Sequence, residues 1–258
     1  MVVGALLQLL AGCLGSQTSS MTTRRPHRAP IGRSAFVGLC FPPEVIVLAV
    51  RWYLRFGLSY RDVEELLTGR GVEVDHVTVH RWVQRFTPLL AEAARPCRHA
   101  VSTRWHVDET YVKVAGRWRY IDRAIDQFGQ VIDAYVPPRR DSSAAHRFFE
   151  QAIDDTKVSP SEVVTDRAPT YPMVLEELLP AAWHRTDRYA NHCIETDCGR
   201  LMTRRRPMRG RKQDLGARIV IAGHAFMQNV CRGHDELAAE ALATRRLAVA
   251  FAELATAI

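Results

Sequence analysis

The stretch WHVDETYVKVAGRWRYIDRAID, residues 105–126, decides the fold. It is rich in Val, Tyr, Trp and Ile on both sides of Ala115-Gly116, which is the composition of two β-strands joined by a tight turn. Strand alternation places Asp108 and Glu109 on opposite faces. One of the two acids can therefore enter a shared site, and periodicity alone does not say which.

The segments that follow extend this hairpin into an α/β domain. Residues 130–136 form a third β-like run, so the order predicts an antiparallel meander. Asp141 caps an amphipathic helix through Ile153, and the buried run EVVTD ends at Asp166. Three antiparallel strands, a crossover helix, a further strand and then helices are the order of an RNase H-like α/β domain, a mixed sheet with flanking helices. The apolar stripe predicted on the long helix near the end is Leu215, Ile219, Ala222, Phe226 and Val230.

Residues 41–86 are predicted to form three helices. Ser59 and Asp62 make a capping-box pattern for the second helix, and Asp75 caps the third. This is the pattern of a helix-turn-helix with a recognition helix; the alternative is a three-helix scaffold that binds no nucleic acid. The polar residues predicted to contact DNA are Thr78, His80, Arg81, Gln84 and Arg85. The apolar residues predicted to pack inward are Val77, Trp82, Val83 and Phe86.

The charge balance favours a polyanionic partner. The 258 residues include 35 Lys and Arg against 28 Asp and Glu, a formal charge of +7. Eight basic residues lie between Arg200 and Arg218, with Asp214 as the single acid among them, and such clustering is typical of a surface that follows phosphates. A solvated helix end is the alternative. The residues of this cluster assigned to DNA binding are Arg200, Arg204, Arg205 and Arg206.

Composition narrows the class of protein. Hydrophobic residues make up 47% of the chain, enough for a globular core, and no apolar run approaches the roughly eighteen residues of a membrane span. Six cysteines show no framework spacing, which favours a reducing compartment. His192, Cys193 and Cys198 lack a second ligand pair at zinc spacing, which disfavours a zinc site.

The N-terminal residues 1–15 resemble an export signal, yet the first basic residue of the chain is Arg24. We therefore expect a true start at Met21 or later and a cytoplasmic, nucleoid-associated protein without a membrane anchor. The expected organisation is a disordered or non-native extension, a helix-turn-helix domain, a catalytic domain and a C-terminal helical tail. These divisions span residues 1–40, 41–95, 96–235 and 236–258. The tail either assembles copies of the chain or packs onto its own domain.

Three acids fall where this order of elements can assemble a metal site. Asp108 lies in the first strand, Asp166 at the end of the fourth, and Glu195 in a later helix. Two-metal phosphoryl transfer needs convergent oxygen ligands, because Mg²⁺ is held by few carboxylates and keeps its other positions for water and phosphate. The chain holds 28 acids, so the pattern alone leaves this choice open.

Four blocks of the sequence carry a resemblance to a known family. They are WHVDETYVKVAGRWRYIDRAID, VVTDRAPTYP, NHCIETDCGRL and LSYRDVEELLTGRGVEVDHVTVHRWVQRF. These blocks resemble those of the DDE transposases of bacterial insertion sequences, and of insertion-sequence family six in particular, and the similarity runs from about Phe41 to His234. The resemblance implies an RNase H-like core, a helix-turn-helix that binds terminal inverted repeats in double-stranded DNA, and Mg²⁺-dependent strand cleavage and joining. On the family's motifs, Asp108, Asp166 and Glu195 are the catalytic residues and metal ligands.

The resemblance also implies cofactors and partners. Two Mg²⁺ ions, with Mn²⁺ as a substitute, would be bridged by Asp108, and Asp166 and Glu195 would each complete one side. One ion would activate the attacking water or 3′-hydroxyl and the other would stabilise the leaving oxygen. A homo-oligomer, at least a dimer, would pair two element ends and engage target DNA.

The sequence departs from the family pattern near Glu195 and in the second strand. Met202 stands where the family carries Lys or Arg, Cys198 replaces a His, and Asp122 replaces an aromatic residue. An attenuated transposase is one interpretation. The alternatives are a catalytically inactive DNA-binding protein and an RNase H-fold nuclease without joining activity.

Structural roles are expected for several other residues. Glu109 should pair with a nearby Lys or Arg, and His224 should be packed in the interior. Asn191 either orients the carboxylate of Glu195 or starts its helix. The aromatic residues expected in the core, and not as platforms for base stacking, are Trp105, Trp118, Tyr120 and Trp183.

Overall fold

The computed structural model describes residues 34–137, 139–166, 168–187, 190–205 and 214–258, with the backbone alone for residues 200 and 202–205. Its helices are α1 (Pro43–Phe56), α2 (Tyr60–Thr68), α3 (His76–Ala94), α4 (Ser142–Thr156), α5 (Thr170–Leu178), α6 (His192–Arg205), α7 (Asp214–Arg232) and α8 (Ala243–Ala255). Its strands are β1 (Arg104–Val114), β2 (Arg117–Asp126), β3 (Val131–Tyr135), β4 (Glu162–Val164) and β5 (Trp183–Arg185). Among these residues, no helix combines the length and apolar character needed to cross a membrane.

The strands of the described residues form one mixed sheet in the order β3-β2-β1-β4-β5. The first three strands pair antiparallel, while β4 pairs parallel with both β1 and β5. Helix α4 supplies the crossover from β3 to β4, and Asp141 caps it by accepting a hydrogen bond from the Ala144 amide. The predicted RNase H-like α/β fold is confirmed. Strand β5, which has only three residues in a polar segment, was not predicted.

The β1–β2 hairpin extends beyond the rest of the sheet. Strand β4 pairs with β1 only over Arg104–His106, and β3 reaches β2 only as far as Asp122. The turn takes positive φ at both Ala115 (48°) and Gly116 (79°), which suits the twist of a tight hairpin. Residues 110–121 therefore form a two-stranded projection, which we call the hairpin arm.

The helices α1, α2 and α3 share one hydrophobic core with α7 and α8. The predicted caps are present: Ser59 and Asp62 form a capping box, and the Asp75 side chain accepts from two amides. Helix α8 packs into this core, where Phe251 lies 5.5 Å from Phe226 between ring centroids. Of the two alternatives for residues 236–258, the structure has packing onto the chain itself.

Helix α7 lies between the sheet and the helical core, so it is buried on more than one side. Phe226 is buried as predicted, but Leu215 is 64% exposed, and the residues against the sheet are Ala217 and Ile221. A single apolar stripe does not describe a helix with two packing partners. Similarly, Val77 of α3 was predicted to be inward and is exposed.

The aromatic residues expected in the core divide into two groups. Trp105, in β1, is fully buried where the sheet packs against the helices α4 and α5, as predicted. Trp118 is 58% exposed and Trp183 is 62% exposed, so the expectation for these two residues was wrong. Trp118 lies on the hairpin arm and Trp183 on the edge strand β5, where fewer elements cover a sheet face.

Candidate active site

Asp108 lies in β1 on the face of the sheet that meets α6 and α7. Burial raises the pKa of its carboxyl to about 6, a hydrogen bond with Cys198 lowers it, and the negative charges of Asp166 and Glu195 raise it. The groups that act most on this pKa include no Lys or Arg. Asp108 is therefore a half-buried acid in a negative environment.

Asp166 lies two residues beyond the end of β4. Since Val164 pairs in parallel with His106 of β1, a two-residue step along each chain brings Asp166 level with Asp108. Its side chain is exposed and accepts a hydrogen bond of 3.1 Å from the Ala168 amide. The parallel register thus places two acids at the same edge of the sheet.

Glu195 lies in the first turn of α6. Its side chain is 60% exposed, and its Oε2 atom lies 2.9 Å from Nδ1 of His192. The charge of Glu195 acts on the pKa of Asp108. The structure therefore brings this third acid to the predicted region, with its carboxylate engaged by a neighbour on the same helix.

A buried polar network anchors α6 to the sheet and to α7. Arg123 of β2 is completely buried and donates from Nε to Oδ2 of Asp197 over 2.7 Å. Arg232 of α7 donates to the other oxygen over 2.6 Å, and Gln228 bonds to both Asp197 and Arg123. Although burial opposes ionisation, Arg123 and Arg232 lower the pKa of Asp197. Asp197 is two residues from Glu195, so the network fixes the helix that carries the third acid.

Asn191 provides a second anchor for the start of α6. Its Nδ2 atom donates to the carbonyl oxygen of Val107 over 2.8 Å, and the side chain is buried. This bond holds the start of α6 against β1, next to Asp108. It is made to the backbone of β1 and not to the carboxylate of Glu195. Sequence reasoning missed the Arg123–Asp197 pair; the only signal was an Arg within the strand run IDRAID.

The donor set fits a hard divalent cation by its chemistry, because Mg²⁺ is bound by carboxylate oxygens. Within the described ranges, no group of three His, Cys, Asp or Glu side chains stands close enough to hold a metal ion. Asp166 and Glu195 therefore lie within electrostatic range of Asp108, but the three acids are not arranged as ligands of one ion.

The opposite face of β1 carries a second pair of acids with different surroundings. Glu109 stands directly across from Asp122 of β2, and Arg140 donates to Glu109 over 2.8 Å. This confirms the expected ion pair of Glu109. Burial, followed by the charge of Glu109, raises the pKa of Asp122 to about 7, and the Tyr171 hydroxyl lies 3.4 Å from its Oδ1 atom.

The residues predicted to bind DNA on α3 have different environments. His80 and Arg81 are exposed, and the His80 ring meets Tyr60 edge to face at 5.1 Å. Arg85 is exposed but donates to the Ala35 carbonyl over 2.7 Å. The remaining two contact neighbours: Thr78 donates to Asp75, and Gln84 lies beside Gly216 of α7. The side chains of Arg200, Met202, Arg204 and Arg205, and all of Arg206, lie outside the described residues.

A mixed sheet with one acid in the central strand β1 and a second just beyond the parallel strand β4 is the arrangement of RNase H-like domains. Residues 102–234 match the family model of a DDE domain. The transposase for insertion sequence element IS257 in transposon Tn4003 of Staphylococcus aureus is 39% identical over 162 residues, covering 61% of this chain and 72% of that protein. The transposase for insertion sequence-like element IS431mec of Staphylococcus aureus is 38% identical with the same coverage.

Among solved structures, the HTLV-2 integrase catalytic core domain in complex with magnesium, in its trimeric form, is similar over 48% of this chain and 85% of that chain. The sequence identity is 19% and the TM-score is 0.37. The family match and the curated relatives agree with the resemblance noted in the sequence. The chain belongs to the DDE transposases of bacterial insertion sequences, in insertion-sequence family six. It is an enzyme of DNA transposition.

Proposed function

We propose that this transposase binds the terminal inverted repeats of its element and catalyses divalent-metal-dependent cleavage and joining of DNA strands. Asp108, Asp166 and Glu195 would be the catalytic metal ligands. The observation that carries the proposal is the convergence of these acids on Asp108: burial raises its pKa, the charges of Asp166 and Glu195 raise it further, and no cationic side chain is among the groups that act most on it. A bound cation would relieve that repulsion.

Mg²⁺, or Mn²⁺ in its place, would supply Lewis acidity for an in-line displacement at phosphorus, and a pair of ions suits both the attacking and the leaving oxygen. The chain's own contribution is to present oxygen ligands from three elements. Asp108 is held on a central strand, and Asp166 follows a neighbouring parallel strand. Glu195 would turn from His192 toward Asp108, while Asn191 and Asp197 keep its helix in place.

DNA binding would involve α3 as the recognition helix, with His80, Arg81 and Arg85 as its exposed polar residues. An α-helix fits the major groove, and Arg can bond to guanine edges or to phosphates. Arg200, Arg204, Arg205 and Arg206 would add phosphate contacts, and the formal charge of +7 supports such contacts. A dimer or larger assembly would pair two element ends.

A catalytically inactive DNA-binding protein is the second candidate. The observation in its favour is the present position of Glu195, which bonds to His192 while no three described side chains form a metal-ligand group. Cys198, where the family carries His, bonds to Asp108 itself. Both candidates bind DNA, so only the reaction separates them.

The test is a reaction with supercoiled plasmid that carries both ends of the parent element. With Mg²⁺ we expect nicked and joined products, and with chelator we expect none.

A binding experiment tests the recognition helix. Binding to duplex ends should weaken with Arg81→Ala and remain unchanged with Arg147→Ala, since Arg147 is an exposed Arg on α4. Specific binding without any cleavage in Mg²⁺ or Mn²⁺ would establish the inactive candidate, and nicking without joints would establish a nuclease.

A further inference from the structure

The hairpin arm exposes an aromatic pair on one face. Tyr111 is 53% exposed and Trp118 is 58% exposed, and their rings meet edge to face with centroids 5.1 Å apart. The Lys113 ammonium lies 5.7 Å from the centre of the Trp118 ring. Large exposed aromatic groups beside a cation are a surface that the interior packing of the domain does not explain.

The other face of the hairpin arm holds it in place. Val112, Val114 and Ile121 pack against Ala217 and Ile221 of α7. At the start of α7, Asp214 accepts two hydrogen bonds from Arg119, of 2.9 and 2.8 Å. Because a two-stranded hairpin alone is marginally stable, this packing supports the arm. The aromatic pair is exposed on the opposite face.

The charge of the hairpin arm indicates the kind of partner. Between Thr110 and Ile121 the sequence contains three cations and no acid. Arg119 is engaged by Asp214, which leaves Lys113 exposed beside the rings, while Arg117 is exposed on the other face of the arm. A polyanion with flat apolar faces satisfies both features, and unpaired nucleotides are such a ligand because every base presents a π-face. In duplex DNA these faces are covered by neighbouring base pairs.

The position of the hairpin arm relates it to the acids. Tyr111 follows Asp108 by three residues of β1, which is about 10 Å along a strand. The arm projects past the edge where Asp166 leaves β4. Tyr111 and Trp118 lie on the face of the hairpin opposite to Asp108, so an unpaired strand that leaves the acids reaches the aromatic pair by passing over the edge of the arm.

We propose that the Tyr111–Trp118 pair binds an unpaired DNA base, with Lys113 neutralising an adjacent phosphate. This inference rests on the proposed function, namely that DNA strands are cut and joined at Asp108. It adds a site for an unpaired nucleotide on the face of the hairpin arm opposite to the acids.

The experiment measures the affinity of the full chain for a fluorescent oligo-dT strand and for a blunt duplex. Trp118→Ala and Tyr111→Ala should each weaken single-strand binding about tenfold, equivalent to about 1.4 kcal/mol. Trp118→Phe keeps a π-face and should stay within about threefold of wild type. Blunt duplex binding should change less than about twofold, because it relies on phosphate contacts elsewhere.

Trp183→Ala is the matched control. Trp183 is also exposed and also has a cation near its ring, with Arg185 at 5.7 Å. Arg185 however bonds to Asp187 and Glu162, so this site does not attract an anion. Trp183→Ala should leave single-strand binding unchanged, and a loss equal to that of Trp118→Ala would overturn the proposal.

Two further readouts separate the possible outcomes. If Trp118→Ala and Tyr111→Ala bind oligo-dT like wild type, the inference is wrong. In that case, a shift of these variants to a smaller species in sedimentation would assign the aromatic face to contact with a second copy of the chain. Plasmid cleavage tests the proposed function independently, since Asp108→Asn should abolish cleavage and keep oligo-dT binding. An unchanged melting temperature of Trp118→Ala would confirm that the variant is folded.

Discussion

The two faces of strand β1 carry neighbouring acids in opposite electrostatic situations. Glu109 is paired with Arg140 at 2.8 Å on the face covered by α4 and α5. Asp108, on the other face, is influenced by Asp166 and Glu195 and by no comparable cation. Alternation along the strand separates them, because adjacent side chains point to opposite faces.

The two faces differ in how the negative charge is balanced. A cationic side chain of the protein pairs with Glu109, whereas in our proposal a bound metal ion balances the charge at Asp108. On the Glu109 face, the half-exposed Arg140 forms an ion pair with Glu109. The Asp108 face instead accumulates acids, and this is the arrangement that a divalent cation stabilises. The same strand thus serves a structural role on one face and, in our proposal, a catalytic role on the other.

The largest effect should come from Glu195, which completes the acids on the Asp108 face. Glu195→Gln removes an anionic ligand with little change in size, so we expect plasmid cleavage to fall by at least about a thousandfold, about 4 kcal/mol of barrier. Glu177→Gln is the control, since Glu177 is similarly exposed on α5. Cleavage by Glu195→Gln at the wild-type rate would remove Glu195 from the site.

The next effect concerns the anchor of α6. Asp197→Ala leaves Arg123 buried without its carboxylate, and we expect the free energy of unfolding to fall by about 3–5 kcal/mol. The control is Asp154→Ala, which removes an ion pair with Lys157 that is about 80% exposed on both sides and should cost less than about 1 kcal/mol. Urea unfolding measures both. Equal losses would show that the buried network does not hold α6.

A smaller, pH-dependent effect is expected on the Glu109 face. The pKa of Asp122 is raised to about 7, above its unfolded value near 4, so the folded protein binds the extra proton between these values. Protonated Asp122 therefore contributes to the free energy of unfolding. This contribution is fully present below about pH 4 and is lost as the pH rises through 7.

Asp122→Asn removes this titration. The variant should match wild type near pH 4 and be more stable at pH 8, by up to about 4 kcal/mol. Chemical unfolding at the two pH values measures the difference, and Asp154→Asn, at an exposed acid, should show none. A constant difference at both pH values would contradict the raised pKa of Asp122.

The sequence predicted the elements whose patterns are local. The β1–β2 hairpin, the caps at Ser59, Asp75 and Asp141, and the order of the fold all follow from alternation and capping chemistry within short windows. Strand β5 was missed because three residues in a parallel sheet are defined by their neighbours and not by their own composition.

The site was less accessible to sequence reasoning because it depends on long-range pairing. Asp108 and Asp166 meet only through the parallel register of β1 and β4, and Arg123 meets Asp197 across 74 positions of the chain. The exposure of Trp118 was also not predictable, since it depends on which face of the hairpin arm α7 covers. Family motifs predicted the acids, and only the fold shows the environment of each one.

The catalytic role of Asp108 is tested most directly by comparing the two acids of β1 in one assay. Asp108→Asn and Glu109→Gln each remove one negative charge from adjacent positions of the same strand. In Mg²⁺, with plasmid carrying the element ends, Asp108→Asn should yield no nicked or joined DNA, while Glu109→Gln should retain strand transfer if it folds, as checked by its thermal unfolding. Strand transfer by Asp108→Asn at the wild-type rate would show that Asp108 is not a catalytic residue.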